Sequence, residues 1–194
     1  MKMTLHLRGT RDLLLHNGRL ANPMDPWTIE IAKFAKKRDK TIAELGRLAE
    51  LEARGGLYET PDGFIGLPQI NVRACLLEAA KAFKLKKWLN ETLVSEPDVV
   101  VPLVIGGRTL KWDEAFSSRA IAIHYVGVVV SGRRTMRARP RIPAGWEATV
   151  DFDLHADSLH ASKLEPVIER AGQVIGLGDW RPIFGTFEAT AKFD

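Results

Sequence analysis

The sequence predicts an α+β fold, and three observations carry that prediction. Strict two-residue alternation marks strands at Met3–Arg8 and Trp146–Leu154. A helical apolar period runs from Val72 to Phe83. Glycine and proline breaks separate these segments into short elements rather than long repeats. The 194 residues are 45% hydrophobic and 27% charged, enough to bury a core and within the size of one domain, taken as residues 1–194.

In chain order, the first strand ends at Gly9-Thr10, and Leu13-Leu14-Leu15-His16-Asn17-Gly18 reads as an apolar loop docked on the body and closed by a turn. Pro26 opens a helix to about Lys37. A second helix begins at Thr41, where Thr41-Ile42-Ala43-Glu44 forms a capping box, and Gly55-Gly56 stops it. Lys33, Lys36, Lys37, Arg38 and Lys40 near their junction read as a solvated face or a basic ridge.

A short strand or hairpin around Leu57–Ile65 leads into Gly66-Leu67-Pro68-Gln69-Ile70-Asn71 and then into a helix with Val72, Cys75, Leu76, Ala79, Ala80 and Phe83 on one face. Val99–Ile105 reads as a strand ended by Gly106-Gly107, and Ala120–Val130 as a long β run ended by Ser131-Gly132. Ser162-Lys163-Leu164-Glu165 is a second capping-box pattern, starting a helix to Ile175 with Pro166 just inside it. Gly176-Leu177-Gly178 ends that helix, and Phe184–Phe193 closes the chain as a strand. With residues 26–66 and 93–118 set aside as insertions, the order becomes β-α-β-β-α-β, the ferredoxin-like (RRM-type) plan of an antiparallel sheet with helices on one face.

A net charge of +4 and a pI near 9.3 lean towards polyanionic partners. No apolar stretch approaches membrane-span length and the start carries no signal-peptide core, so the expected location is the cytoplasm, without membrane contact. The single cysteine, Cys75, sits in the apolar helix pattern and reads as a packing thiol.

Arginines concentrate in Arg133-Arg134-Thr135-Met136-Arg137-Ala138-Arg139-Pro140-Arg141, a segment without an acid. If it is extended, Arg133, Arg137, Arg139 and Arg141 share one face at intervals of about 6.8 Å per two residues, comparable to phosphate spacing along an extended single strand. A charged, aggregation-resistant edge strand is the plainer reading. Gly176–Gly185 lies at a helix C-terminus, which fits neither a Walker loop nor a dinucleotide fingerprint. Trp180 and Arg181 in it offer a stacking face and a phosphate contact, or else Trp180 packs. Asn71 or Gln69 lies close to the start of the central helix, where backbone N–H groups near the helix N-terminus favour anions, although ordinary capping is the commoner role of such residues.

Among the histidines, His124 lies in an apolar run, and His155-Ala156-Asp157-Ser158-Leu159-His160 lacks zinc-motif spacing. Only His16 suits a general base, and no catalytic partner is identifiable beside it. No cofactor, metal site or catalytic constellation is expected.

Three segments resemble the RAMP superfamily, the CRISPR-associated proteins built on RNA-recognition-type ferredoxin-like domains. They are Leu7-Arg8-Gly9-Thr10 with the following Leu-Leu-Leu-His-Asn-Gly, Leu67–Leu76, and Ile175-Gly176-Leu177-Gly178 through Phe184-Gly185-Thr186-Phe187. The second is similar to the family's Ile-Pro-Gly-Ser-Ser-Leu-Lys-Gly segment, with Gln69-Ile70-Asn71 in place of Gly-Ser-Ser. The third is similar to its glycine-rich loop, with Asp179 where basic residues are usual. In size the chain looks most like the small RAMP-like proteins of phages and prophages. The resemblance implies single-stranded RNA or DNA as partner and self-association along the strand.

The expected function is therefore non-enzymatic binding of a single strand through Arg133, Arg134, Arg137, Arg139, Arg141, Trp180, Arg181, Gln69, Asn71 and Arg73. The alternatives are a RAMP-type endoribonuclease using His16, and a protein-interaction or virion-assembly component.

Overall fold

The computed structural model describes residues 1–130, 132–156 and 162–194, with the side chains of Trp112, Val130 and Arg133 outside the description. Ser131 of the expected Ser131-Gly132 turn and the Asp157–His160 part of the histidine segment also lie outside the described residues. The strands are β1 (Lys2–Gly9), β2 (Leu13–Leu14), β3 (Tyr58–Glu59), β4 (Ile65–Pro68), β5 (Leu93–Val94), β6 (Val100–Pro102), β7 (Val104–Ile105), β8 (Arg108–Thr109), β9 (Ala122–Val130), β10 (Arg133–Ile142), β11 (Glu147–Leu154) and β12 (Phe187–Phe193). The helices are α1 (Pro26–Ala35), α2 (Ile42–Gly55), α3 (Gln69–Ala80), α4 (Lys86–Thr92), α5 (Trp112–Ser117) and α6 (Glu165–Arg170).

The fold is α+β with antiparallel sheets. The main sheet runs β12-β1-β11-β7-β8. With α3 following β1 and α6 following β11, this is the ferredoxin-like order, in which the last strand flanks the first and the first flanks the third. The place of the second strand is split. β7 meets β11 at Glu147↔Val104, and β5 meets its other end at Leu154↔Leu93.

Alternation explains the sheet's two faces. Met3, Leu5 and Leu7 of β1 and Ala148, Val150, Phe152 and Leu154 of β11 are buried beneath α3 and α6, with Val72, Cys75, Leu76, Val167 and Ile168 opposite. The other face carries Lys2, His6, Arg8, Glu147, Asp151, Glu188 and Lys192 in the open. Trp146 is fully buried and donates its indole N–H to the Arg11 carbonyl (3.0 Å). A Cβ at Gly9 would lie 2.1 Å from that ring, so the first strand ends on glycine because the indole fills the space. Cys75 is a packing thiol: burial pushes its pKa up to about 12, and Sγ lies 3.2 Å from the Gly176 carbonyl.

Several boundaries differ from the sequence reading. Val99–Ile105 is two strands in two sheets: Val100–Pro102 pairs with β4, where the Leu103 N–H still donates to the Ile65 carbonyl (2.9 Å), and Val104–Ile105 joins the main sheet beside β11 and β8. The Ala120–Val130 run becomes β9, half of a hairpin with β10 in a second sheet, β2-β10-β9. Thr41 makes both bonds of its capping box. The Ser162 pattern does not start an α-helix: a 3-10 turn spans Ser162–Leu164, and α6 begins at Glu165, placing Pro166 in the first turn where no backbone donor is required. A π-turn over Ala171–Ile175 ends that helix, and the last strand starts at Phe187, later than the expected Phe184. Among the described residues, no helix is long and apolar enough to cross a membrane.

Candidate nucleic-acid interface

β10 is extended through the whole arginine segment, so Arg133, Arg137, Arg139 and Arg141 hold positions on one face and Arg134, Met136, Ala138 and Pro140 on the other. The row is not a free comb. Each arginine with a described side chain meets an acid from a different segment. Arg137 donates to Glu52 of α2 (2.9 Å), Arg139 to Asp179 of the glycine-rich loop, and Arg141 to Asp12 before β2.

These acids also secure the backbone. Glu52 accepts the Ala138 N–H (2.8 Å) on the edge of β10 that β2 leaves unpaired, and Asp12 accepts the Ala144 N–H (2.8 Å). A carboxylate shared between guanidinium and backbone fixes the arginine while using only part of its five donors. The side chains of Arg137 and Arg141 remain 42% and 47% exposed, whereas that of Arg139 is 11% exposed. The interface therefore has two outward guanidiniums, about 13 Å apart along the strand by rise per residue, around a buried third.

Arg139 lies with its guanidinium 5.6 Å from the centre of the Trp180 ring, and Trp180 packs edge-on to His124, the cross-strand neighbour of Arg139. Trp180 is thus engaged in holding the loop, with φ at 55°. The loop is tied to the β2 segment by Asp179 N–H to Leu14 O (2.8 Å) and Gly185 N–H to Asp12 O (2.8 Å). Gly178, at φ 74°, comes so close that a Cβ would sit 2.1 Å from the Leu14 oxygen.

A cavity of about 290 Å³ opens where this loop meets α3 and the turn after β2, lined by Leu15, His16, Tyr58, Asn71, Ala74, Leu177, Gly178, Asp179 and Arg181. A second, of about 170 Å³, lies beyond His16 and includes Thr28, Glu52, Arg137 and Arg139. His16 keeps an exposed edge between the two. Burial of its ring lowers its pKa below the ordinary value; Arg139 and Arg137 reinforce the shift, and Asp179 and Glu52 oppose it. His124 is lowered as well, by burial and then by Arg141 and Arg139. Both shifts favour the neutral imidazole, which can accept one hydrogen bond and donate another.

The structure brings Arg137, Arg139, Arg141, Trp180, Arg181 and Asn71 to one side of the molecule. Among the described residues, Arg11 and Arg181 have no ion-pair partner, which leaves this side with a positive excess. Arg134 is exposed on the opposite face of the hairpin, beside Met136, Val129 and Tyr125. Gln69 and Arg73 are committed within the fold. The buried Gln69 amide donates to the Asp151 carbonyl and accepts the Glu96 N–H (2.6 Å), while Arg73 donates to the Leu93 and Asn90 carbonyls (both 2.9 Å). The sequence reading missed Asp12 and Glu52 as counter-ions; the available signal was an acid amid apolar neighbours, as in Leu51-Glu52-Ala53 and Asp12-Leu13-Leu14.

No protein-family model matches the chain, and no curated protein matches it. Among solved structures, it is similar to a chain of the "Crystal structure of Csm3-Csm4 subcomplex in the type III-A CRISPR-Cas interference complex", with a TM-score of 0.34 and 15% identity over 99% of this chain and 69% of that one.

Proposed function

We propose that the protein is a non-enzymatic, single-stranded nucleic-acid-binding RAMP-like domain. In this reading residues 26–66 and 93–118 are insertions on the ferredoxin-like plan. RNA or single-stranded DNA runs past Arg141 and Arg137 and over the His16–Arg181 cavity, and copies associate along it. The observation that carries this reading is the anchored arginine pair. Arg137 and Arg141 are pinned by Glu52 and Asp12 and leave donors outward, and among the described residues two further arginines lack an ion-pair partner: Arg181 at the cavity, and Arg11, whose guanidinium donates to the Pro182 and Ile183 carbonyls. Pre-oriented guanidiniums lose little side-chain entropy when they meet phosphate.

The test is fluorescence anisotropy with single-stranded RNA, single-stranded DNA and duplex across salt, for wild type and Arg137→Ala/Arg141→Ala. The expected result is single-strand binding whose salt slope falls by about 2 in the variant, about 1 per phosphate contact. No binding to any nucleic acid at low salt overturns the reading.

One observation supports a second reading, an endoribonuclease: His16, its neutral form favoured, beside Arg137 and Arg139 at the junction of two cavities. Cleavage of a bound RNA that His16→Ala abolishes without loss of binding would establish it in place of simple binding.

A further inference from the structure

β12 is an edge strand with a sequence that is complementary to itself. It pairs with β1 alone, and among the described residues no backbone group pairs with its outer edge. Asp194 and Lys2 exchange backbone hydrogen bonds (2.8 and 3.0 Å), so by alternation the even-numbered residues turn their backbone groups to β1, and Ala189 and Ala191 turn theirs outward.

The segment Glu188-Ala189-Thr190-Ala191-Lys192 reads, about Thr190, as charge, alanine, threonine, alanine, opposite charge. Glu188, Thr190 and Lys192 are exposed on the open sheet face, and among the described residues neither charge is spent on an ion pair within the chain. A groove of about 660 Å³ runs beside this edge, between Ala189, Ala191 and Phe193 on one side and Glu165 and Ile168 on the other.

We propose that β12 pairs antiparallel with β12 of a second copy, about a two-fold axis at Thr190, to form a closed dimer with one continuous sheet. In this register Ala189 exchanges both backbone hydrogen bonds with the partner's Ala191, and the two-fold repeats the exchange. Glu188 faces the partner's Lys192 across a non-hydrogen-bonded position, where side chains approach most closely. A one-residue slip would put inward-facing backbone groups against the new edge and lose the bonds. Slips of two break the charge match. The ladder stops at Glu188, because Gly172 packs so tightly on the Phe187 carbonyl that a Cβ there would lie 2.1 Å from that oxygen. An isologous interface of this kind closes at two subunits, and it forms without nucleic acid, so it stands or falls separately from the binding function.

The experiment is sedimentation equilibrium of the full chain in the absence of nucleic acid, up to about 100 μM, the range in which a weak interface is populated. Wild type is expected at twice the 21.6 kDa chain mass. Glu188→Lys and Lys192→Glu, each alone, are expected to weaken association at least tenfold by placing like charges opposite, and an equimolar mixture of the two is expected to restore it as a heterodimer. Ala191→Pro, which removes an outward N–H that β1 does not use, is expected to give a folded monomer, with circular dichroism as the check. A monomeric wild type at the highest concentration overturns the proposal. So does a dimer that survives all three substitutions, or single charge variants that weaken association but fail to recombine.

Discussion

The main sheet and the hairpin sheet neutralise charge in opposite ways. On the open face of β1 and β11, each cation meets an acid on the adjoining strand: Lys2 with Asp151 at 3.2 Å and Arg8 with Glu147 at 3.9 Å, all well exposed. On β10 the acids come from far along the chain: Glu52 from α2, Asp179 from the loop before β12, Asp12 from the exit of β1. Local pairs are solvated, screened and dispensable. Pairs assembled from remote segments bind those segments together, so the arginine row is at once a charged surface and a tertiary clamp. The same residue type therefore carries different weight in two strands of one molecule.

The sharpest way to break this contrast is Arg139→Ala. Arg139 is nearly buried, pairs with Asp179 and lies against Trp180, so its removal leaves a partly buried carboxylate and loosens the loop. The expected loss is about 3 kcal/mol, read as a melting temperature lower by about 10 °C. Arg139→Met/Asp179→Leu should recover most of that stability, because it removes both charges and keeps the volume. If Arg139→Ala melts like wild type, the clamp reading fails and the row is only surface charge.

The sequence made the main sheet legible because its rule is local. Alternation in Met3–Leu7 and Ala148–Leu154 names the buried face without any knowledge of the partner. The arginine strand was legible to the same depth: its extension and parity follow from local pattern. Its chemistry did not follow, because the partners of Arg137, Arg139 and Arg141 are 85, 40 and 129 residues away. Gln69 and Arg73 illustrate the converse. Both were expected to bind nucleic acid, but their partners Asp151, Glu96, Leu93 and Asn90 come from segments whose arrival no spacing announces. The division of Val99–Ile105 between two sheets was not legible either, because β4 and β11, which take its two halves, come from distant parts of the chain.

The histidines beside the clamp give a smaller, pH-dependent effect. His16 and His124 both have folded pKa values lowered by burial and by the neighbouring arginines. As pH falls through the unfolded value of about 6.5, the unfolded chain takes up protons that the folded chain refuses, so stability declines below that point. Denaturant titrations between about pH 7.5 and 5.5 should show that decline. It should flatten in His16→Asn/His124→Asn, where neither ring remains to titrate. An unchanged slope in the variant would mean that the cluster around Arg139 does not hold these rings neutral.

The smallest expected effect is the most discriminating for function. Arg8→Ala removes a cation from the open face of the main sheet, where its contact with Glu147 is long and solvated, so stability should change by no more than about 0.5 kcal/mol. Nucleic-acid affinity and its salt slope should also stay at wild-type values. The face around Arg8 carries Glu147, Asp151, Asp153 and Glu188, which repel phosphate, and His6 is its only aromatic ring among the side chains of β1, β11 and β12 that point that way. A fall in slope as large as that from Arg137→Ala would place the strand across the sheet instead, as in RNA-recognition domains that stack bases on their strands. In that case the remote acids would serve stability alone, and the hairpin arginines would be a clamp with no ligand.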